Sequence, residues 1–137
     1  MGKIDDVCKE VVEKVGGAAA CGVVDLGDGR LVGQHSSPQS SRFDDGFAAL
    51  TRDLLRGPDV DRLLQLVRDG RGVSDAGGSS LQEVHVTSNQ YLHFMKTLRG
   101  GKAAIVLVTR RSTNIGMGWA MLKAAIPSLD ALAPEEP

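Results

Sequence analysis

Aromatic side chains make up only 4% of this 137-residue chain: three Phe, one Trp and one Tyr. So few rings do not build the stacking platforms that hold single-stranded nucleic acid. A surplus of one charge is missing as well. Sixteen basic residues against seventeen acidic ones leave a net charge of −1, so no overall basic field draws the chain to nucleic acid or to an anionic membrane. Long apolar runs are absent, and no stretch approaches the roughly 20 residues of a membrane span. The opening MGKIDDVCKE has neither the continuous apolar core nor the cleavage site of a secretory leader. Its Met-Gly start fits a myristoyl acceptor only with Ser or Thr at the sixth position, which here is Asp6. Cysteine is scarce too. Cys8 and Cys21 each sit inside an apolar run. They read as buried reduced thiols and point to a cytoplasmic protein.

What remains is an ordinary apolar fraction of 42% in a chain of one-domain length. About two-thirds of the unfolded surface is buried in a domain of this size, enough for its own core. We expect a single domain over residues 1–130 and a disordered tail over 131–137. Ile4, Val7, Cys8, Val11, Val12 and Val15 recur with the period of one helical face, ended by Gly16-Gly17. Glu10 and Lys14 are spaced to pair along its outer side. Ala18–Asp25 is small and apolar, fit for a buried strand. The Asp28-Gly29 turn returns the chain as a more polar strand over Arg30–His35. Ser41 stands as a helix cap with acids after it. Phe43, Phe47, Leu50 and Leu54 then mark the apolar stripe of a second helix. Gly57-Pro58 breaks that helix, and Val60, Leu63, Leu64 and Val67 form a further short stripe. Residues 69–80, DGRGVSDAGGSS, read as a surface loop.

Three strands follow, at Leu81–Thr87, Gln90–Leu98 and Lys102–Thr109, turned by Ser88-Asn89 and Gly100-Gly101. The last helix starts from Ser112 or Thr113. Ile115, Trp119, Leu122, Ile126 and Leu129 give it an apolar stripe. The first and fifth strands are apolar on both faces, so they belong side by side in the middle of a covered sheet. The second and third strands become its edges. The expected architecture is α/β (α+β): a five-stranded mixed, mainly antiparallel sheet in the order 2-1-5-4-3. Helices cover both faces, the first and last on one and the Phe43–Val67 region on the other.

No constellation of catalytic residues accompanies this layout. Arg99-Gly-Gly-Lys102 fails as a phosphate loop, because Lys96 stands where the first glycine belongs and Ala103 where Ser or Thr does. Gly116-Met-Gly118 lacks the third glycine and the βαβ setting of a dinucleotide fingerprint; small residues that let a helix sit close to the sheet explain it. His85 and His93 can be drawn as cross-strand neighbours, a metal or pH-sensing pair, but no Cys, Asp or Glu joins them at ligand spacing. They read more simply as polar residues on a strand face. Asp25 and Asp28 are turn chemistry rather than a calcium loop. There is no G-x-S-x-G elbow for a serine nucleophile. Arg52 and Arg56, with Arg62 and Arg68, read either as a solvated helix face or as the polar rim of a partner surface. Arg110-Arg111 reads as exposed turn chemistry; an arginine finger would require it to reach another protein's active site. We expect no catalytic residue, no metal and no cofactor.

The order and spacing of VVDLGDGRLVGQ (23–34), the apolar helix from Phe43, and YLHFMKTLRGGKAAIVLVTRRSTNIGMGWAMLKAAI (91–126) resemble the roadblock/LC7 family, whose sheet is related to profilin-like and longin folds. The resemblance spans about residues 3–129. It departs at the Gly57-Pro58 break and the 69–80 loop. It implies a homodimer, or a pair with a roadblock paralogue, in which the third strand pairs with its copy across a two-fold axis and the second helices meet on one face. The residues fit: Leu81–Thr87 carries Val84 and Val86 and neither Pro nor Lys to blunt an open edge. The implied interface is Leu81, Val84, Val86, Phe47, Leu50 and Leu54. The resemblance further implies a non-enzymatic regulator that binds a small Ras-like GTPase and modulates its GTP hydrolysis or localisation, through Asp45, Ala49, Arg52, Asp53 and Arg56. The alternative is a dimeric scaffold of a motor, signalling or polarity complex with no effect on hydrolysis. A small-molecule sensor or enzyme using a pocket between sheet and helices is a third reading, and it needs a cavity with convergent polar groups.

Overall fold

The protein is described by a computed structural model that covers residues 2–37, 51–52, 54–55, 62–66, 82–98 and 101–131. Helix α1 spans Lys3–Lys14. Strands β1 (Ala18–Asp25) and β2 (Arg30–Ser36) follow as a hairpin. After helical residues at 51–52, 54–55 and 62–66 come β3 (Glu83–Thr87), β4 (Tyr91–Leu98) and β5 (Ala103–Arg110). Helix α2 spans Ile115–Asp130. The sheet has the expected order β2-β1-β5-β4-β3. Every pairing in it is antiparallel, so the expectation of a mixed sheet is corrected. The tight turns after β1, β3 and β4 each reverse the chain, and β5 runs antiparallel to both of its neighbours.

β1 and β5 sit at the centre because they are buried along nearly their whole length. Each strand feeds two cores. On one face Cys21, Val23, Phe94, Ile105 and Leu107 pack with Cys8, Val11, Val12 and Val15 of α1 and with Leu122 and Leu129 of α2. On the other face Ala20, Val24, Met95, Ala104 and Val106 pack with Leu55, and Leu54 and Val84 lean against them. Helical residues thus cover both sides, as a doubly apolar strand demands. The thiols of Cys8 and Cys21 are both buried and free. A hydrogen bond between them, aided by burial, pushes the Cys21 thiol well above its ordinary value.

Details of the elements differ from the sequence reading in ways that have physical causes. The α2 cap is Asn114, whose side chain accepts the Met117 N–H at 2.9 Å. Thr113 is unavailable as a cap because its hydroxyl donates to the Gly16 carbonyl at 2.8 Å and it is buried. Ile115 does not join the apolar stripe: it is the first residue of the helix and is 49% exposed. α2 also contains Pro127, which removes the N–H that would bond the Lys123 carbonyl. The helical residues near 51–55 bury Thr51 and Leu55 completely, one turn apart, while Leu54 is half-buried. A stripe drawn through apolar residues alone misses the threonine. Leu63, expected in a core stripe, is 55% exposed, while Leu64, the other described member of that stripe, is half-buried. The stripe residues Phe43, Phe47, Leu50, Val60 and Val67, the 69–80 loop and the tail from 132 lie outside the described residues.

Two close approaches hold the helices down. Gly118 of α2 lies over the Phe94 ring, and a Cβ there would stand 2.7 Å from its Cζ and 3.0 Å from both Cε atoms. Gly33 of β2 meets α1 in the same way, with Ile4 Cγ2 2.5 Å from a Cβ. Asp5 completes that contact. Its Oδ1 accepts the Gln34 N–H at 2.7 Å, so the helix start covers part of the β2 edge. Gly118→Ala should therefore destabilise the protein by about 1–3 kcal/mol through overpacking, despite the better helix propensity of Ala. Gly116→Ala, which meets only the Asn114 side chain at 3.3 Å, should cost much less. Urea unfolding of the two variants tests the contrast.

Candidate functional site: the β3 edge

β3 is five residues long and alternates exposed and half-buried positions. It begins at Glu83, and Leu81 lies outside the described residues. Its inner side pairs with β4, with Val84 opposite Met95, His85 opposite Phe94 and Val86 opposite His93. The turn between them is tied by the Ser88 N–H to the Tyr91 carbonyl at 2.9 Å. Arg111 braces the same turn: its N–H donates to the Gln90 carbonyl at 3.0 Å and its Nη1 to the Ser88 carbonyl at 3.4 Å. That is a positioning role for one member of the Arg110-Arg111 pair, which is exposed at a turn as expected. Among the described residues no strand pairs with the outer side of β3.

The two faces of this edge differ. On the α1/α2 face stand Glu83, His85 and Thr87. Glu83 Oε2 accepts from Lys96 Nζ at 2.9 Å and lies 4.0 Å from Lys123 Nζ, and the hydrogen bond from Lys96 holds its carboxyl below the ordinary value. The His85 ring meets Phe94 edge-on at 5.1 Å and tilts against Trp119 at 6.4 Å; Phe94 and Trp119 form a T at 5.2 Å. His85 Nε2 is 3.0 Å from Thr87 Oγ1. On the opposite face Val84 joins the cluster of Leu54, Leu55 and Met95. His85 and His93 are one register step from direct opposition, so they point to opposite faces and do not make the cross-strand pair that sequence allowed. Among the described residues no group of three or more His, Cys, Asp or Glu could hold a metal ion.

Of the predicted partner contacts, Arg52 is described. Its Nε donates to the Leu26 carbonyl at 3.0 Å, which pins the helical residues to the β1–β2 turn. That turn is built by Asp25, whose Oδ1 accepts the Gly27 N–H at 2.7 Å. Asp45, Ala49, Asp53 and Arg56 lie outside the described residues, as do Phe47 and Leu50 of the predicted interface. Val84 and Leu54 are brought together in one cluster, and Val86 lies two residues on along the same face of β3. A groove of about 160 Å³ runs between α1 and α2, past Val7, Val11, Met121 and Ala125. Its charged groups, Glu10 and Lys14, are bonded to each other at 2.8 Å, so they do not converge on a ligand.

Solved structures with this architecture include Myxococcus xanthus MglB, which matches with a TM-score of 0.77 at 17% identity over 99% of this chain and 98% of that one. A roadblock/LC7 domain from Streptomyces avermitilis matches at 0.68 and 18% identity, over 98% of each chain. Profilin II from Acanthamoeba castellanii matches at 0.61 and 10%, over 96% and 99%. No protein-family model and no curated protein matches the sequence. Among the described residues no helix is long and apolar enough to cross a membrane.

His93 gives this region a pH signature. Burial, and then the neighbouring His85, lower its pKa from the ordinary 6.5. The unfolded chain therefore binds more protons than the folded one in the window below 6.5. Stability is fully present above that value and falls as the pH drops through it toward the folded value. His93→Gln should flatten this part of the curve, as read from urea midpoints at about pH 7.5 and about pH 5.

Proposed function

We propose that this chain, which has the roadblock/LC7 fold, is a homodimeric regulator that docks a small Ras-like GTPase and changes its GTP hydrolysis or its placement in the cell. The observation that carries the proposal is the asymmetry of the sheet edges. On β2 the Gln34 N–H is taken by Asp5. On β3 the outer backbone groups meet no strand among the described residues, and an open edge of this kind is a template for a second chain. Pairing β3 with its copy satisfies those groups in a closed two-fold assembly.

The same pairing has a second effect. Leu54 and Val84 share one cluster, so joining two β3 strands sets two copies of the helical segment around residue 54 on one face of a continuous sheet. That paired segment, with Asp45, Ala49, Arg52, Asp53 and Arg56, is the proposed GTPase surface, and Leu81, Val84, Val86, Phe47, Leu50 and Leu54 form the dimer contact. The chain contributes no catalytic group. It acts by ordering the residues of the GTPase, through positioning and electrostatic preorganisation.

Val86→Lys places a charge in the apolar row of the edge and should convert a dimer into a monomer with an unchanged far-UV spectrum. It should also abolish any effect on GTP turnover by the cognate GTPase. Light scattering and single-turnover hydrolysis measure the two outcomes. A complex that forms without a change in turnover replaces the regulator with a scaffold. A wild-type chain that stays monomeric and leaves turnover unchanged removes both.

A further inference from the structure

We infer that His85 lies on the two-fold axis of the β3 pairing, opposite its own copy, and makes self-association sensitive to protons. The inference rests on the dimer proposed above. β3 has five residues, Glu83–Thr87. An axis normal to the sheet keeps each face on its own side, so self-pairing registers differ in steps of two. Only the register centred on His85 pairs every β3 residue. It sets Glu83 against the partner's Thr87, Val84 against the partner's Val86, and His85 against the partner's His85. The next registers in either direction pair only the first or the last three residues of the strand. In the centred register the valines form one apolar row on the Leu54 face, while the polar side chains form a row on the α1/α2 face.

Residues directly opposite in such a ladder have Cβ atoms about 4.5–5.5 Å apart, and like charges there are destabilising. The imidazole is not free to swing clear. Phe94 stands edge-on to it at 5.1 Å, Trp119 lies 6.4 Å away, and Thr87 Oγ1 is 3.0 Å from Nε2. Nor, among the described residues, is the carboxylate of the same strand spare. Glu83, two residues along the same strand, is engaged by Lys96 of β4 at 2.9 Å and faces Lys123 of α2 at 4.0 Å. β4 otherwise presents Phe94 to His85 on this face and His93 on the other, and α2 presents Trp119. Across the axis the partner's Glu83 is a diagonal neighbour, held by the same two lysines of its own subunit. Two imidazolium ions would therefore enter a region where the described residues place two lysines around each Glu83 carboxylate.

The sign follows from proton counting. Separated chains accept a proton on each His85 more readily than the paired ones, so association weakens as the pH falls.

Sedimentation velocity on the full chain, at constant ionic strength and at about pH 8 and about pH 5.5, tests this. The wild-type dimer should weaken about tenfold or more in Kd at the lower pH, a difference of about 1.4 kcal/mol per decade. His85→Gln and His85→Asn should dimerise equally at both values, with circular dichroism reporting an intact fold. His93→Gln, altered on the opposite face, should keep the wild-type response. A wild-type dimer of constant Kd overturns the inference and leaves the dimer standing. The same pH response in both folded His85 variants also overturns it. A chain that is monomeric at both pH values removes the dimer and the inference together.

Discussion

The pairing of β1 with β5 organises this molecule. Both strands are buried from end to end except at their outer termini, and neither has a polar face to offer to water. A sheet with two such strands at its centre requires cover on both sides. That requirement recruits α1 and α2 to one face and the helical residues around Leu55 to the other. It also pushes the two more polar strands outward. The edges are therefore determined by the middle: β2 and β3 are peripheral because they are the strands that tolerate it.

The two peripheral strands are treated differently. β2 is gripped by the start of α1, where Asp5 takes the Gln34 N–H and Ile4 rests on Gly33. Among the described residues, β3 is gripped from its inner side and by side chains above and below. Glu83 reaches inward to Lys96 and Lys123, and His85 is fixed against Phe94 and Trp119. Among the described residues the edge is thus tied inward through its side chains and open in backbone, a combination suited to adding a strand without reorganising what lies beneath it. The functional reading as a docking regulator depends on that combination, because a joined sheet is what brings the two helical segments together.

Much of this was legible in the sequence because period-two and period-3.6 patterns report burial directly. Ala103–Thr109 announces a central strand, and from it the strand order follows. Residues whose roles depend on a distant partner were not legible. Thr113 looks like a helix cap until its hydroxyl is seen on Gly16, 97 residues away. Arg52 looks like a free surface cation until its Nε meets Leu26. Asp5 looks like an ordinary first-turn acid, and nothing local reveals that it also closes a sheet edge. The relation of His85 to His93 turns on a single register step, which flips a side chain through the sheet and which a two-residue uncertainty in strand bounds cannot resolve. Within the candidate site Val84 and the open edge were readable from alternation and the absence of blunting residues. The aromatic bracket around His85 was not, since Trp119 comes from another element.

The ladder between β1 and β5 joins Ala18 to Thr109 and Asp25 to Ala103. Pairings so far apart along the chain form late, after a large loss of chain entropy. On a ribosome, the hairpin of β1 and β2 leaves the exit tunnel well before β5 has been synthesised. Until then a strand with two oily faces has one backbone flank unmatched. Nascent chains in that condition are the ones that chaperones hold, so this architecture makes the interval between the emergence of β1 and the arrival of β5 the time of greatest exposure to misassembly.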